Sequence, residues 1–240
     1  MIRAAVAYTL VAAGANVLGA AAVTSRSRWS VSALEKLIAL SAGFMVSVAL
    51  LDLVPESIAQ HGARAGLPIL LGFLLVHLTQ HALTPHFHFG EEIHEVTRAV
   101  SVSALAGMLL HTFMDGVAIA SGFEVRQSLG FLVFTAILLH KLPEGLAISS
   151  IFLAAGASRT RALAAGAALG VATVLGGLLT ERVAPLGTYG LPLAAGVTLY
   201  VGASNLVPEF QSKRDWKVQG SFFAGCALYF LARYLIGANL

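Results

Sequence analysis

The chain has 240 residues, of which 57% are hydrophobic and 11% charged, with a mean hydropathy of +0.81 and a formal net charge of +3. So few charges cannot keep a domain of this size in water, whereas a bundle surrounded by lipid must avoid them, so a soluble globular domain is excluded. The positive balance is too small and too scattered for a nucleic-acid partner, and one cysteine, Cys226, excludes an intramolecular disulfide framework or a Cys-based metal cluster.

A bilayer core takes roughly 20 apolar helical residues. Eight stretches qualify in chain order: 4–23, 35–56, 67–84, 99–120, 129–154, 161–182, 186–208 and 219–238. They read as one all-α integral membrane domain over residues 1–240. The first stretch, an apolar run behind Arg3 with Ala20 to Ala22 near its end, also has the outline of a cleaved signal peptide. The repeat described below needs it as a retained span.

Eight spans put both termini on one side. With the termini outside, the inner connections carry nine of the fifteen Lys and Arg residues, among them Arg26, Arg28, Arg98, Arg159 and Arg161. Five lie near the outer side (Arg3, Arg64, Arg126, Arg182 and Arg233), and Lys141 falls within a span. The positive-inside rule then places the His-rich loop, about 85–98, in the cytoplasm.

Two phrases recur. Leu53-Val54-Pro55-Glu56 ends the second span, and Leu206-Val207-Pro208-Glu209 ends the seventh. His111-x-x-x-Asp115-Gly116 lies in the fourth span, and His140-x-x-x-Glu144-Gly145 in the fifth. Spans two and seven run in opposite directions, as do four and five, so the matches predict an inverted repeat of three, two and three helices. Inverted repeats are a common architecture of secondary transporters, with the site near the midplane. Each repeated proline removes an amide donor and predicts a bend, freeing the carbonyls of Leu51 and Ser204. Glu56 and Glu209 then read either as the two mouths of one path or as ordinary helix-end charges.

His111 and Asp115 are four residues apart, as are His140 and Glu144, which places each pair on one helix face. Both pairs fall about halfway along their spans, where an acidic side chain costs about 2.5–3.5 kcal/mol or more. Two imidazoles and two carboxylates from antiparallel helices can surround one divalent cation with an N2O2 shell. That shell suits zinc and also accepts iron, manganese or cadmium. Pro143 bends the fifth span and frees the carbonyl of Leu139, a further candidate oxygen. Met45 could add a soft contact or simply fill the core. His77 and His81, again four apart, could be exit ligands or packing residues. The loop residues His86, His88, Glu91 and His94 could hold a departing metal or form a solvated segment. Gly166-x-x-x-Gly170 is a close-packing face for an internal helix or for a homodimer.

The two motif pairs, the Leu-Val-Pro-Glu span ends and the histidine-bearing loop together resemble the ZIP family of divalent-metal transporters. The resemblance covers essentially the whole chain in span number and order. It implies eight helices in a 3+2+3 arrangement, termini outside, and movement of zinc or similar ions toward the cytoplasm. By motif position it implies that His111, Asp115, His140 and Glu144 are the primary transport-site ligands. Members with a two-metal site carry an amide or carboxylate directly after each motif histidine, where this chain has Thr112 and Lys141. A single metal is therefore expected, with the Lys141 ammonium in place of the second. Asp52, where the family often has histidine, and Glu56 are implied on the outer path. Asn205 and Glu209 stand in the mirror positions on the inner path.

The sequence thus reads as a multi-pass cell-membrane carrier of divalent metal ions, zinc first, with the bilayer and the metal as partners and no organic cofactor. An intramembrane metallohydrolase is disfavoured because His-Glu-x-x-His is absent and Lys141 stands where its base would be. A proton-coupled carrier of another solute, using Asp115, Glu144 and Lys141 as a relay, is the alternative.

Overall fold

The computed structural model describes residues 2–25, 31–81, 97–180, 182–211 and 215–236, with backbone only at 2–4, 31, 80 and 81. The described residues contain helices and no strand. In order they are α1 (Ile2–Thr24), α2 (Val31–Val48), a π turn (Ala49–Leu53), α3 (Val54–His61), a 3-10 turn (Gly62–Ala65) and α4 (Gly66–His81). There follow α5 (Arg98–Val125), α6 (Gln127–Ala154), α7 (Arg159–Thr180), α8 (Ala184–Tyr200), a second π turn (Val201–Leu206), α9 (Pro208–Gln211) and α10 (Trp216–Leu235). The loop residues His86, His88, Glu91 and His94 lie outside the described residues, as does the side chain of His81.

Six stretches of the described chain are long and apolar enough to cross a membrane, against the eight expected. The expected span 35–56 and most of 67–84 fall within one of them, Ser32–Thr79. At 48 residues it is about 72 Å of helix, too long for a single crossing. Gly62, with φ +58°, interrupts it where few residues other than glycine fit. The helix α10 is absent from the six, and it carries Lys217, Gln219 and Arg233.

Helices α1, α5, α6 and α7 pack on one another, while α2 packs on α10 and α4 on α8; α2 also touches α6, and α8 touches α5. Small residues allow these approaches. A Cβ on Gly116 of α5 would lie 1.9 Å from Thr173 O of α7, and one on Gly145 of α6 would lie 2.1 Å from Asn16 O of α1. Gly43 and Gly225 join α2 to α10 in the same way, and Gly72 and Gly196 join α4 to α8. Without side chains between them, the backbones touch and dispersion replaces the hydrophobic drive that lipid does not supply. Gly166 and Gly170 face Ala20 and Ala13 of α1, so that stripe is used inside the chain. At one end of the bundle Tyr8 stacks on Phe123 at 4.9 Å and meets Phe131 and Phe134, fixing α1 to the α5–α6 junction.

Two local expectations change. The polar run 123–128, between the expected spans 99–120 and 129–154, is not the loop that those bounds imply. Both helices continue through it and only Arg126, in extended backbone, separates them. Each repeated proline is preceded by a π turn, in which Val54 N–H bonds Ala49 O and Val207 N–H bonds Gly202 O. The missing donor is thus absorbed by a wider turn at corresponding places in both copies.

Candidate metal centre

Helices α5 and α6 are each 28 residues long, and each places its histidine after thirteen residues, so His111 and His140 stand at corresponding central positions. One ligand atom from each of His111, Asp115, His140 and Glu144 lies within 4.8 Å of all the others, and all four residues are buried. His111 Nε2 is 3.0 Å from Glu144 Oε1 and 3.4 Å from Asp115 Oδ2. His140 Nε2 is 3.4 Å from Asp115 Oδ2. Donors around a tetrahedral zinc are about 3.3 Å apart at bond lengths of about 2.0–2.1 Å. A contraction of about 1.5 Å in the widest pair therefore closes a four-donor shell.

The surroundings prepare the donors. His140 Nδ1 sits 3.0 Å from Ala136 O, one turn earlier in α6, so Nδ1–H donates there and Nε2 keeps its lone pair for the site. Lys141 is fully buried and donates to Asp115 Oδ2 at 2.6 Å and to Glu144 Oε2 at 2.8 Å. With neutral imidazoles, two carboxylates and one ammonium sum to −1, and a divalent ion brings the site to +1. Asp115 Oδ1 and His111 Nδ1 have no hydrogen-bond partner among the described residues. Thr112 is fully buried and its hydroxyl donates to Leu109 O at 3.1 Å, within its own helix. The Leu139 carbonyl freed by Pro143 lies 2.9 Å from the Ser41 hydroxyl of α2, which is its hydrogen-bond donor.

A second polar cluster sits where the α5–α6 junction meets the first π turn. Asp52, itself buried, accepts from Tyr229 Oη at 2.6 Å and lies 3.7 Å from both Arg126 and Arg233. Arg126 also pairs with Glu56. Met45 is fully buried within the apolar core. His77 Nδ1 is 3.3 Å from Tyr200 Oη; Asn205, within the second π turn, and Glu209, in α9, are half-buried.

Sequence reasoning missed Asn16. It is fully buried in α1 and, with its amide nitrogen turned toward the acceptors, donates to Lys141 O at 2.6 Å and Glu144 Oε2 at 3.3 Å. The available signal was an amide within an otherwise apolar span. Arg126, Tyr229 and Arg233 were missed as a cluster because nothing local in the sequence joins them to Asp52.

Long apolar helices packed around a buried cluster of imidazoles and carboxylates are the build of a multi-pass membrane protein. Residues 88–232 match the family described as ZIP zinc transporters, and the chain belongs to that family. Among curated relatives it is 36% identical over 154 residues to zinc transporter GufA of Myxococcus xanthus, a match covering 61% of this chain and 60% of that protein. It is 27% identical over 216 residues to zinc transporter ZupT of Shigella dysenteriae serotype 1, covering 83% of this chain and 84% of that protein. The family is one of transporters, not of enzymes.

Proposed function

We propose that the chain carries divalent transition-metal ions, zinc first, across the membrane into the cytoplasm, with His111, Asp115, His140 and Glu144 as the ligands. The single observation that carries this reading is the convergence of those four buried side chains within 4.8 Å, from two helices, at mid-helix. The alternative of a structural ion pair accounts for Lys141 with one acid. It does not account for two histidines on the same spot.

The 3+2+3 inverted repeat is supported by the packing. Exchanging span one with six, two with seven, three with eight and four with five turns the α1–α6 contact into α7–α5, and α2–α10 into α8–α4. Each of these contacts is glycine-mediated. In this reading the whole of 1–240 is one domain, the termini lie outside, and Asp52 and Glu56 stand at the outer mouth. Asn205, Glu209, His77 and His81 line the inner half, and His86, His88, Glu91 and His94 receive metal in the cytoplasm. Lys141 takes the place of a second ion. It reduces the negative charge of the site's side chains from −2 to −1 and so favours release. The same donor set accepts Fe2+, Mn2+ and Cd2+.

Uptake by proteoliposomes tests the proposal. Zinc influx is expected from wild type and is expected to be lost in His140→Ala and Glu144→Ala. Proton flux without metal dependence would instead support the proton-coupled carrier of another solute.

A further inference from the structure

We infer that Asn16 is a positioning residue of the metal site, whose carboxamide holds Glu144 so that one carboxylate oxygen faces His111 and the ion. The inference rests on the reading of the four residues as ligands. Glu144 Oε2 receives two donors, Lys141 Nζ at 2.8 Å and the Asn16 amide at 3.3 Å. With Oε2 held from two sides, Oε1 is left pointing at His111 Nε2, 3.0 Å away. A carboxylate held by one donor can rotate about its terminal torsion, whereas two donors from different helices fix its plane.

The height of the amide is set by backbone contact. The α1 chain at Asn16 lies directly over Gly145, the residue after Glu144, and no Cβ fits between them. Asn16 also donates to Lys141 O at 2.6 Å, so one amide ties together the backbone of Lys141 and the side chain of Glu144. On the other side of the site α7 lies over α5 in the same way, with Thr173 over Gly116. There the chemistry differs. Thr173 Oγ1 donates to Leu169 O of its own helix at 3.2 Å and gives Asp115 no counterpart of the Asn16 amide, while Asp115 Oδ1 and Glu144 Oε1 alike lack a hydrogen-bond partner among the described residues. The two acids, equivalent in the sequence repeat, are held differently. Lys141 holds both, Asp115 at 2.6 Å and Glu144 at 2.8 Å, and the second neighbour differs: the Asn16 amide at Glu144, His140 Nε2 at 3.4 Å at Asp115.

The test is zinc-binding isotherms on the purified full-length protein in detergent. Supporting groups behind metal ligands are worth about 10–100-fold in affinity. Asn16→Ala is expected to weaken zinc binding about tenfold or more, while Thr173→Val stays within about twofold of wild type. In a Glu144→Ala background, Asn16→Ala should add less than about twofold, because the group it orients is gone. A merely structural asparagine would give the same loss in both backgrounds, and that result overturns the inference, as does wild-type affinity in Asn16→Ala. Where Asn16→Ala does not yield folded protein, Asn16→Ser carries the same test, since its donor sits on a shorter arm. Wild-type affinity in Glu144→Ala itself would remove the ligand set, a failure distinct from that of Asn16.

Discussion

Among the described residues two clusters combine a pair of acids with cations, and they are not alike. At mid-helix, Asp115 and Glu144 face one lysine and two imidazoles, with all five side chains buried. At the α5–α6 junction, Asp52 and Glu56 face two arginines and a tyrosine, and the Arg126 side chain is 40% exposed. Arginine keeps its proton, so the second cluster is held by ion pairs, Arg126 with Glu56 and both arginines 3.7 Å from Asp52, and by the Tyr229 hydroxyl on Asp52. A neutral imidazole can give one N–H to a carboxylate and still offers a lone pair on its other nitrogen, a metal donor that arginine lacks. The first cluster thus offers nitrogen and oxygen donors together, and the second offers ion pairs that join the first π turn to the α5–α6 junction and to α10.

The largest effect that separates the clusters is expected from the ligands. His111→Ala or His140→Ala should lower zinc affinity by more than about 100-fold in titrations, beyond the range of supporting groups. A change within tenfold would erase the distinction drawn between the two regions.

Lys141→Ala comes next. It leaves two buried carboxylates without their shared ammonium, which costs about 3–5 kcal/mol of stability in the metal-free protein. Zinc should restore much of that loss in thermal unfolding and bind more tightly than to wild type, with slower release. Unchanged affinity and transport rate would rule out a charge-tuning lysine.

Gly116→Ala tests the frame around the first cluster, because its methyl would sit 1.9 Å from Thr173 O. Overpacking of this kind costs about 1–3 kcal/mol, read as a lower unfolding temperature and reduced uptake. Asp52→Asn probes the second cluster. Weakening its bonds to Tyr229 and the arginines should cost about 1–3 kcal/mol while leaving zinc affinity within about twofold. Glu56→Gln, at a partly exposed pair, is expected to change stability by less than about 1 kcal/mol. A tenfold fall in zinc affinity in either variant would make the junction part of the binding site.

The pair of motifs was legible because histidine and acid at mid-membrane are costly and their spacing names one helix face. The end of α5 was not. Glu124, Arg126 and Gln127 read as a loop, but a 28-residue helix is about 42 Å long and its polar ends reach the headgroups. Polarity there marks the edge of the lipid, not the end of the helix. The prolines of the repeat were visible. Whether the chain would bend or widen into a π turn depends on packing against α8 and α2, which no local pattern records. Asn16 and Arg126 contact residues far away in the chain, so their partners emerge only from the fold.

The central claim is that two imidazoles and two carboxylates, from α5 and α6, enclose one ion. Zinc K-edge X-ray absorption on the loaded protein tests it most directly. The account predicts a four-coordinate shell of nitrogen and oxygen at about 2.0–2.1 Å with outer scattering from two imidazoles, one of which disappears in His140→Ala. A zinc shell lacking imidazole scattering, or one left unaltered by that substitution, would contradict it.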